Sequence, residues 1–169
     1  NVKFSYELSN IAKLHKINHF IHISSAKVYG ETGVFNEKSK PNPKNLYAIS
    51  KLEAEKKIIN VLKNTNVNIS IIRPPVIYGK NPKGNFKLLT FALKFNLPLI
   101  LSKKEYFRSF LSIENLFTFI EHNLKNYKQL QIFNVSDAGV LSTSNLIRYF
   151  ARINKSKSMI FKLDIWLIK

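Results

Sequence analysis

The sequence has 169 residues, of which 45% are hydrophobic, so it can form one domain with a hydrophobic core and is not a disordered chain. It has no cysteine, which excludes disulfides and thiolate metal sites and is typical of a cytoplasmic protein, and no apolar run is long enough to span a bilayer. The net charge is +17, with 27 lysine and arginine residues against 10 acidic ones, but the lysines are scattered and do not favour a nucleic-acid partner.

The chain begins with a predicted helix and strand. Helical spacing of apolar residues predicts a helix over Val2–Leu14. We expect its inner face to carry Val2, Tyr6, Ile11 and Leu14. The run "FIHIS" predicts a strand over Phe20–Ser24, in which His22 is expected to lie in the core or on the face of a sheet.

A loop rich in glycine, proline and asparagine follows, and then another helix and strand. Asn45, just after two prolines, is predicted to cap a helix that runs to about Lys63. The β-branched run "NISII" predicts a strand over Asn68–Ile72, which the sequence "RPP" ends.

The rest of the chain continues to alternate between predicted helices and predicted strands. Helices are predicted over Phe86–Phe95, Glu114–Leu124 and Ser142–Ile153, and strands over Leu99–Leu101, Phe107–Leu111 and Gln131–Val135. Either Ser142 or Thr143 is expected to cap the last helix. Strands separated by helices of this length imply βαβ crossovers, so the predicted fold class is α/β with a parallel sheet.

Two strands are followed by residues suited to a ligand site. Ser24 and Ser25 end the strand "FIHIS", and Arg73–Pro75 end the strand "NISII". In an open parallel sheet, ligands bind beyond the carboxyl ends of the strands. We therefore expect these two segments to face the same crevice.

The helix after the loop opens with "YAISK", which places Tyr47 and Lys51 four residues apart on one face. An ammonium near a phenol favours the phenolate, so Tyr47 could act as a general base. A serine hydroxyl opposite it could hold the substrate oxygen. The alternative is a surface tyrosine and lysine on an ordinary helix, but the nearby "SS" and "RPP" segments favour a catalytic site.

Five motifs, in this order, carry a family resemblance: "HISSAKVYG", "YAISKLEAE", "IIRPPVIYG", "NPKGNFKLL" and "FRSFLSIENL". Together they resemble the extended short-chain dehydrogenase/reductase family of NAD-dependent epimerases and dehydratases, and most closely UDP-glucose 4-epimerase-like enzymes and UDP-4-keto-6-deoxy-N-acetylhexosamine reductases. The resemblance implies a Rossmann-like doubly wound parallel sheet. It assigns residues 1–80 to the C-terminal part of the NAD(P)-binding domain, and residues 81–169 mainly to a small substrate-binding portion, with some segments returning to the sheet.

The resemblance also implies roles for single residues. Ser25 matches the catalytic hydroxyl, Tyr47 the catalytic acid/base, and Lys51 the residue that holds the nicotinamide ribose. The residues implied to contact the cofactor are Asn1, Ser24, Tyr47, Lys51, Arg73, Pro74 and Pro75. Those implied to contact the sugar nucleotide are Ser25, Asn85 and Arg108, and no metal ligand is implied.

The sequence departs from the family pattern at several positions. Val76 and Ile77 stand where many relatives carry an asparagine pair, and Phe4 stands where relatives often have glycine. The glycine-rich turn that holds the cofactor pyrophosphate is absent. Because the family carries it upstream, we expect the first βα units, about 70–110 residues, to precede this chain.

The predicted function is an NAD(P)-dependent epimerase or 4-keto-sugar reductase that acts on a UDP-sugar for surface polysaccharide biosynthesis. NAD or NADP is the expected cofactor, and a homodimer is an open expectation. Two alternatives remain. One is a steroid- or flavonoid-type short-chain dehydrogenase. The other is a catalytically silent protein of the same fold that binds RNA through its basic surface.

Overall fold

The computed structural model describes residues 2–80 and 85–164. They form two compact units. The first unit contains residues 1–76 and 113–136, and the second unit contains residues 77–112 and 137–169. The chain therefore leaves the first unit after residue 76 and returns to it for one helix and one strand.

The elements follow one another in a regular order. They are α1 (Val2–Leu14), β1 (His19–Ile23), a 3₁₀ helix (Ala26–Tyr29), α2 (Leu46–Leu62), β2 (Asn68–Ile72), β3 (Val76–Tyr78), α3 (Asn85–Lys94), β4 (Leu99–Ser102), β5 (Phe107–Arg108), β6 (Phe110–Ser112), α4 (Ile113–Lys125), β7 (Leu130–Phe133), β8 (Leu141–Ser142), α5 (Thr143–Ile153) and β9 (Ile160–Leu163).

The first unit is built on a parallel sheet with the strand order β1-β2-β7. Ser70 of β2 pairs with Ile21 on one side and with Gln131 on the other, and both pairings are parallel. Helices α2 and α4 make the two crossovers that parallel neighbours require. The predicted α/β class with a parallel sheet is confirmed, and the fold is Rossmann-like.

The core of the first unit lies between the sheet and the helices α1 and α2. It consists of alternate strand residues and the inward residues of the helices, namely Ala12, Ile58, Leu62, Val67, Ile69 and Ile71. Because side chains alternate across a strand, Ile69 and Ile71 reach this layer while Ser70 and Ile72 point to the other face of β2. On that other face, Phe119 of α4 packs edge-on against Phe133 of β7.

The prediction of the inner face of α1 is wrong. Of the four residues expected there, Tyr6 is 44% exposed, Ile11 is 52% exposed, Leu14 is 76% exposed, and Val2 is only partly buried. The residues that α1 buries are Ser5, Ser9 and Ala12. Small side chains on this face let α1 approach α2 closely, since the side chains at a contact set the distance between two helix axes.

Two helix caps follow the sequence prediction. Asn45 lies at the N-cap of α2, where its side-chain oxygen accepts a hydrogen bond of 2.9 Å from the backbone N–H of Ala48. Ser142 caps α5 by accepting from the N–H of Asn145 at 3.1 Å. Both side chains satisfy backbone donors that a helix start leaves unpaired.

The second unit contains short strand pairs beside α3 and α5. β4 pairs with β9 in parallel, β5 pairs with β8 in antiparallel fashion, and β3 pairs with β6. The sequence prediction missed β3, β8 and β9 and merged β5 with β6, because strands of two to four residues are too short to display a period. None of the helices in the described ranges combines the length and the apolarity that crossing a bilayer requires.

Candidate active site

The site is built at the carboxyl ends of β1 and β2. Beyond the strands, the N–H of Ser24 donates to the carbonyl of Ile72 at 2.7 Å, and the N–H of Ala26 donates to the carbonyl of Pro74 at 2.8 Å. These bonds extend the pairing of the two strands by several residues. The "SS" and "RPP" segments therefore lie side by side at one edge of the sheet.

The two serines have different surroundings, although both are buried. The hydroxyl of Ser24 donates to the carboxylate of Glu55 in the interior. The hydroxyl oxygen of Ser25 accepts from the N–H of Lys27 at 3.2 Å and caps the 3₁₀ helix. That bond uses a lone pair of Ser25 and leaves its proton available for another acceptor.

Tyr47 and Lys51 lie on the first turns of α2, on the same face. Tyr47 is 48% exposed, and the Nζ atom of Lys51 lies 6.0 Å from the centre of its ring. The same ammonium donates to the carbonyl of Ile23 at 2.9 Å, at the last residue of β1. Burial lowers the pKa of Lys51, and the negative charge of Glu55 opposes this effect. The structure therefore ties Lys51 to the last residue of β1, directly before the serines, and the ring of Tyr47 lies near its ammonium.

His22 lies on β1 below this site, as the sequence suggested for a sheet-face histidine. Its pKa is lowered to about 4, first by burial and then by the positive charge of Lys51, while Glu55 acts in the opposite direction. The imidazole is therefore neutral near pH 7. Its Nε2 atom is buried and has no hydrogen-bond partner among the residues that the structure describes.

A buried ion pair lies beneath the site, between Glu55 of α2 and Arg73 at the end of β2. The Nε atom of Arg73 donates to Glu55 at 3.0 Å and a terminal nitrogen donates to the other carboxylate oxygen at 2.5 Å. Both side chains are almost completely buried, with relative exposures of 4% for Arg73 and 2% for Glu55. The sequence analysis missed Glu55, although its spacing of four from Lys51 places it on the same helix face.

Arg73 also reaches the 3₁₀ helix that follows the serines. Its other terminal nitrogen donates to the hydroxyl of Tyr29 at 2.8 Å, and that hydroxyl donates to the side chain of Asn134 at 3.0 Å. The guanidinium is thus committed to the interior, so a contact between Arg73 and a cofactor would have to involve its main chain. The next residues of the predicted site, Pro74 and Pro75, are buried and half-buried.

The remaining predicted site residues lie elsewhere. Arg108 is an exposed residue of β5 in the second unit, paired with Leu141 of β8. Its guanidinium makes no hydrogen bond or ion pair with another residue of the described ranges. Asn85 begins α3, but its side chain lies outside the described residues, as does all of Asn1. No group of histidine, aspartate and glutamate side chains in the described ranges could hold a metal ion.

Comparison with known proteins gives a family match over most of the chain. Residues 1–136 match the family described as "NAD dependent epimerase/dehydratase family". This range includes the sheet of the first unit and every site residue that lies in it.

Curated relatives also match. A UDP-glucose 4-epimerase of Vibrio cholerae is 33% identical over 159 residues, which cover 90% of this chain and 48% of the relative. An N-acetyl-α-D-glucosaminyl-diphospho-ditrans,octacis-undecaprenol 4-epimerase of Escherichia coli O157:H7 is 27% identical over 135 residues, covering 78% of this chain and 41% of the relative. The chain thus spans about half the length of the curated relatives.

A solved structure supports the same fold. The UDP-glucuronic acid 4-epimerase of Bacillus cereus in complex with NAD superposes with a TM-score of 0.83 and 25% sequence identity. The superposition covers 95% of this chain and 54% of that one. The Rossmann-like arrangement of the strands is therefore shared with a protein of nucleotide-sugar chemistry.

Proposed function

Because the chain belongs to the NAD dependent epimerase/dehydratase family, we propose that the complete protein is a UDP-sugar 4-epimerase that uses NAD or NADP. The observation that carries this proposal is the position of Lys51 and Tyr47. The ammonium of Lys51 donates to the last residue of β1, directly before Ser24 and Ser25, and lies close to the ring of an exposed tyrosine. We take Tyr47 as the acid/base group because ligands of a parallel sheet bind at this edge.

The residues at this edge fit the nicotinamide end of such a cofactor. Lys51 has one donor occupied by the carbonyl of Ile23, so it retains two N–H donors for a ribose hydroxyl. The "RPP" segment forms the neighbouring wall through its backbone bond to Ala26. When bound, the cofactor supplies a hydride acceptor and donor.

In the proposed reaction, Tyr47 acts as the acid/base group. As phenolate, it takes the proton of the sugar hydroxyl while the carbon that carries this hydroxyl is oxidised to a ketone. It returns the proton when hydride is added back to that carbon from the opposite side. Ser25 donates a hydrogen bond to the sugar oxygen.

The proposed substrate is a sugar linked to UDP. Arg108 is exposed, and its guanidinium has no hydrogen-bond or ion-pair partner within residues 2–80 and 85–164, so it can form charge-assisted hydrogen bonds with a diphosphate. Asn85 is proposed to contact the same substrate because of its place in the motif "KGNF". The similarity to the UDP-glucose 4-epimerase of Vibrio cholerae supports a UDP-sugar in particular.

Two finer alternatives belong to the same proposal. The Escherichia coli relative is an epimerase of a polyprenyl-diphospho-sugar, which makes a lipid-linked sugar the second candidate substrate and supports a role in surface polysaccharide synthesis. A 4-keto-sugar reductase with the same residues would release its cofactor after each turnover, whereas an epimerase would retain it. Assay of UDP-glucose conversion without added cofactor separates the two reactions.

The proposal is tested with Tyr47→Phe in the full-length protein. This change keeps the ring and removes the ionisable group, so turnover is expected to fall by about 10²–10⁴-fold with little change in substrate affinity. Tyr6→Phe is a matched control, because Tyr6 is 44% exposed and has the ammonium of Lys57 at 5.6 Å from its ring centre. Its turnover should equal that of the wild type.

Conversion of UDP-glucose to UDP-galactose is followed by NMR, and the lipid-linked substrate is assayed in parallel. Near-normal turnover of Tyr47→Phe on either substrate would overturn the role of Tyr47. A wild-type protein that binds the cofactor but converts neither substrate would favour one of the other two classes, a different dehydrogenase or a silent binding protein.

A further inference from the structure

We propose that Glu55, held by Arg73, is a positioning residue for the reaction: it fixes α2 against the ends of β1 and β2 and so sets the places of Tyr47 and Lys51 relative to Ser25. The inference rests on the proposed function, since it assigns a task in that reaction. Glu55 is not expected to touch the substrate or the cofactor, because its side chain is only 2% exposed.

The contacts of Glu55 join three parts of the site. Its carboxylate accepts a hydrogen bond from the hydroxyl of Ser24, the residue directly before Ser25. It accepts two hydrogen bonds from Arg73, directly before the two prolines. It belongs to α2, the helix that carries the acid/base residues. One carboxylate therefore ties the helix to the ends of both strands.

The spacing along α2 makes this tie effective. Tyr47, Lys51 and Glu55 are separated by four residues each, so they lie along one face of the helix. A rotation or shift of α2 at Glu55 would be transmitted directly to the other two side chains. Displacement of reacting groups by about 1 Å can reduce the rate of an enzyme about 10²-fold.

The chemistry of the pair argues for a task other than stability. Burying two charges has a large desolvation cost, and well-packed apolar residues of similar volume are often as stabilising as a buried ion pair or more so. The bidentate contact fixes the relative direction of the two side chains, which apolar packing does not do. The hydroxyl of Tyr29 and the side chain of Asn134 continue the polar network and orient the arginine.

The position of Glu55 also matters for the charge at the site. Lys51 is half-buried, and its ammonium faces the neutral imidazole of His22 as well as Glu55. The negative charge of Glu55 raises the pKa of Lys51 against the effect of burial. This effect on Lys51 is separate from the positioning role, which depends on the contacts of Glu55 with Ser24 and Arg73.

The test replaces the pair by apolar residues of similar size in the full-length protein, with the double variant Glu55→Met/Arg73→Met. We expect a folded protein with a melting temperature within about 5 °C of the wild type. It should bind the cofactor and show a KM for the UDP-sugar within about threefold of the wild-type value, but kcat should fall at least about tenfold. Lys103→Gln/Asp164→Asn removes an exposed ion pair of 2.7 Å and should leave kcat unchanged.

A loss of kcat with little change in KM distinguishes a positioning role from a merely structural one, because a merely structural pair would not lower kcat in a folded, cofactor-bound protein. An unchanged kcat, or a loss confined to KM, would overturn the inference. If the double variant does not fold, Glu55→Asp, which keeps the buried charge and shortens the side chain by one methylene, is measured in its place with the same expected split. Tyr47→Phe separates the proposed function from the inference about Glu55. If Tyr47→Phe is inactive while the Glu55 variants have normal activity, the proposed function stands and the inference fails.

Discussion

The two adjacent serines show that the surroundings of a residue determine which hydrogen bonds its side chain can still make. The hydroxyl of Ser24 donates to a buried carboxylate, whereas Ser25 caps the 3₁₀ helix and its hydroxyl donates to no other residue that the structure describes. Only Ser25 can therefore donate to a substrate oxygen without giving up a contact within the protein. Ser24, in turn, gives Glu55 one of the hydrogen bonds that its buried charge requires.

This difference predicts different effects of two alanine substitutions in the full-length protein. Ser25→Ala should lower kcat at least about tenfold, because the donor to the substrate oxygen is lost. Ser24→Ala should lower the free energy of unfolding by about 1–3 kcal/mol, since a buried carboxylate loses a hydrogen bond, and should lower kcat less than Ser25→Ala does. Steady-state kinetics and urea unfolding measure both; a larger loss of kcat in Ser24→Ala would contradict the assignment.

Sequence reasoning reached the residues with a short, local pattern and missed those that depend on a distant partner. Tyr47 and Lys51 share a helix face by their spacing, and Ser24 and Ser25 follow a clear strand. The partner of Arg73, by contrast, depends on how α2 lies against β2, which the sequence alone does not tell. The sequence signal that could have found Glu55 is its spacing of four from Lys51, next to the apolar residues Ala54 and Ile58.

Among the elements, α1 shows that a correct boundary does not ensure a correct orientation. Its predicted range of Val2–Leu14 is confirmed, but its large apolar residues face outward. The apolar pattern is normally a guide to the inner face. Here the contact with α2 requires small side chains, so steric fit decides which face is buried.

The small face of α1 can be tested by enlarging one of its residues in the full-length protein. Ser9 is completely buried, and its hydroxyl donates to the carbonyl of Tyr6 at 2.7 Å. Ser9→Leu should lower the free energy of unfolding by about 1–3 kcal/mol, because added methylenes force the two helices apart. Asn10→Leu, at an exposed neighbouring position, is the control and should change the free energy by less than about 0.5 kcal/mol. Equal urea midpoints for the two variants would show that this face has room.

At the scale of the molecule, the charge is unevenly divided between the two units. Residues 77–112 and 137–169, which make up the second unit, carry thirteen lysines and arginines against three acidic residues. Two of those three acidic residues are paired with lysines, Glu105 with Lys162 and Asp164 with Lys103. The second unit therefore has an excess of positive charge that attracts anions in general, which leaves its specific recognition to single residues.

The division into units bears on the proposed substrate site. The sequence suggested a boundary near residue 80, with some later segments returning to the sheet, and the structure divides the chain after residue 76 and returns residues 113–136 to the first unit. The assignment of substrate binding to the second unit stays a prediction. It depends mainly on Arg108, because the side chain of Asn85 lies outside the described residues.

A local contact at Arg108 and a general attraction by positive charge make different predictions for UDP binding by the full-length protein. Arg108→Leu and Arg148→Leu each remove one positive charge from the second unit, and both arginines are exposed. If Arg108 binds the diphosphate directly, its replacement should weaken UDP binding at least about tenfold, whereas Arg148→Leu should have less than about a twofold effect.

At about 0.15 M salt the Debye length is about 8 Å, so general attraction contributes little to UDP binding by either variant. Isothermal titration calorimetry with UDP at about 0.05 and about 0.3 M salt separates the local contact at Arg108 from the general attraction by positive charge, because only the general attraction should fall steeply with salt. Equal losses for the two variants would mean that net charge, and not Arg108, accounts for the affinity, and the diphosphate site would then have to be sought elsewhere.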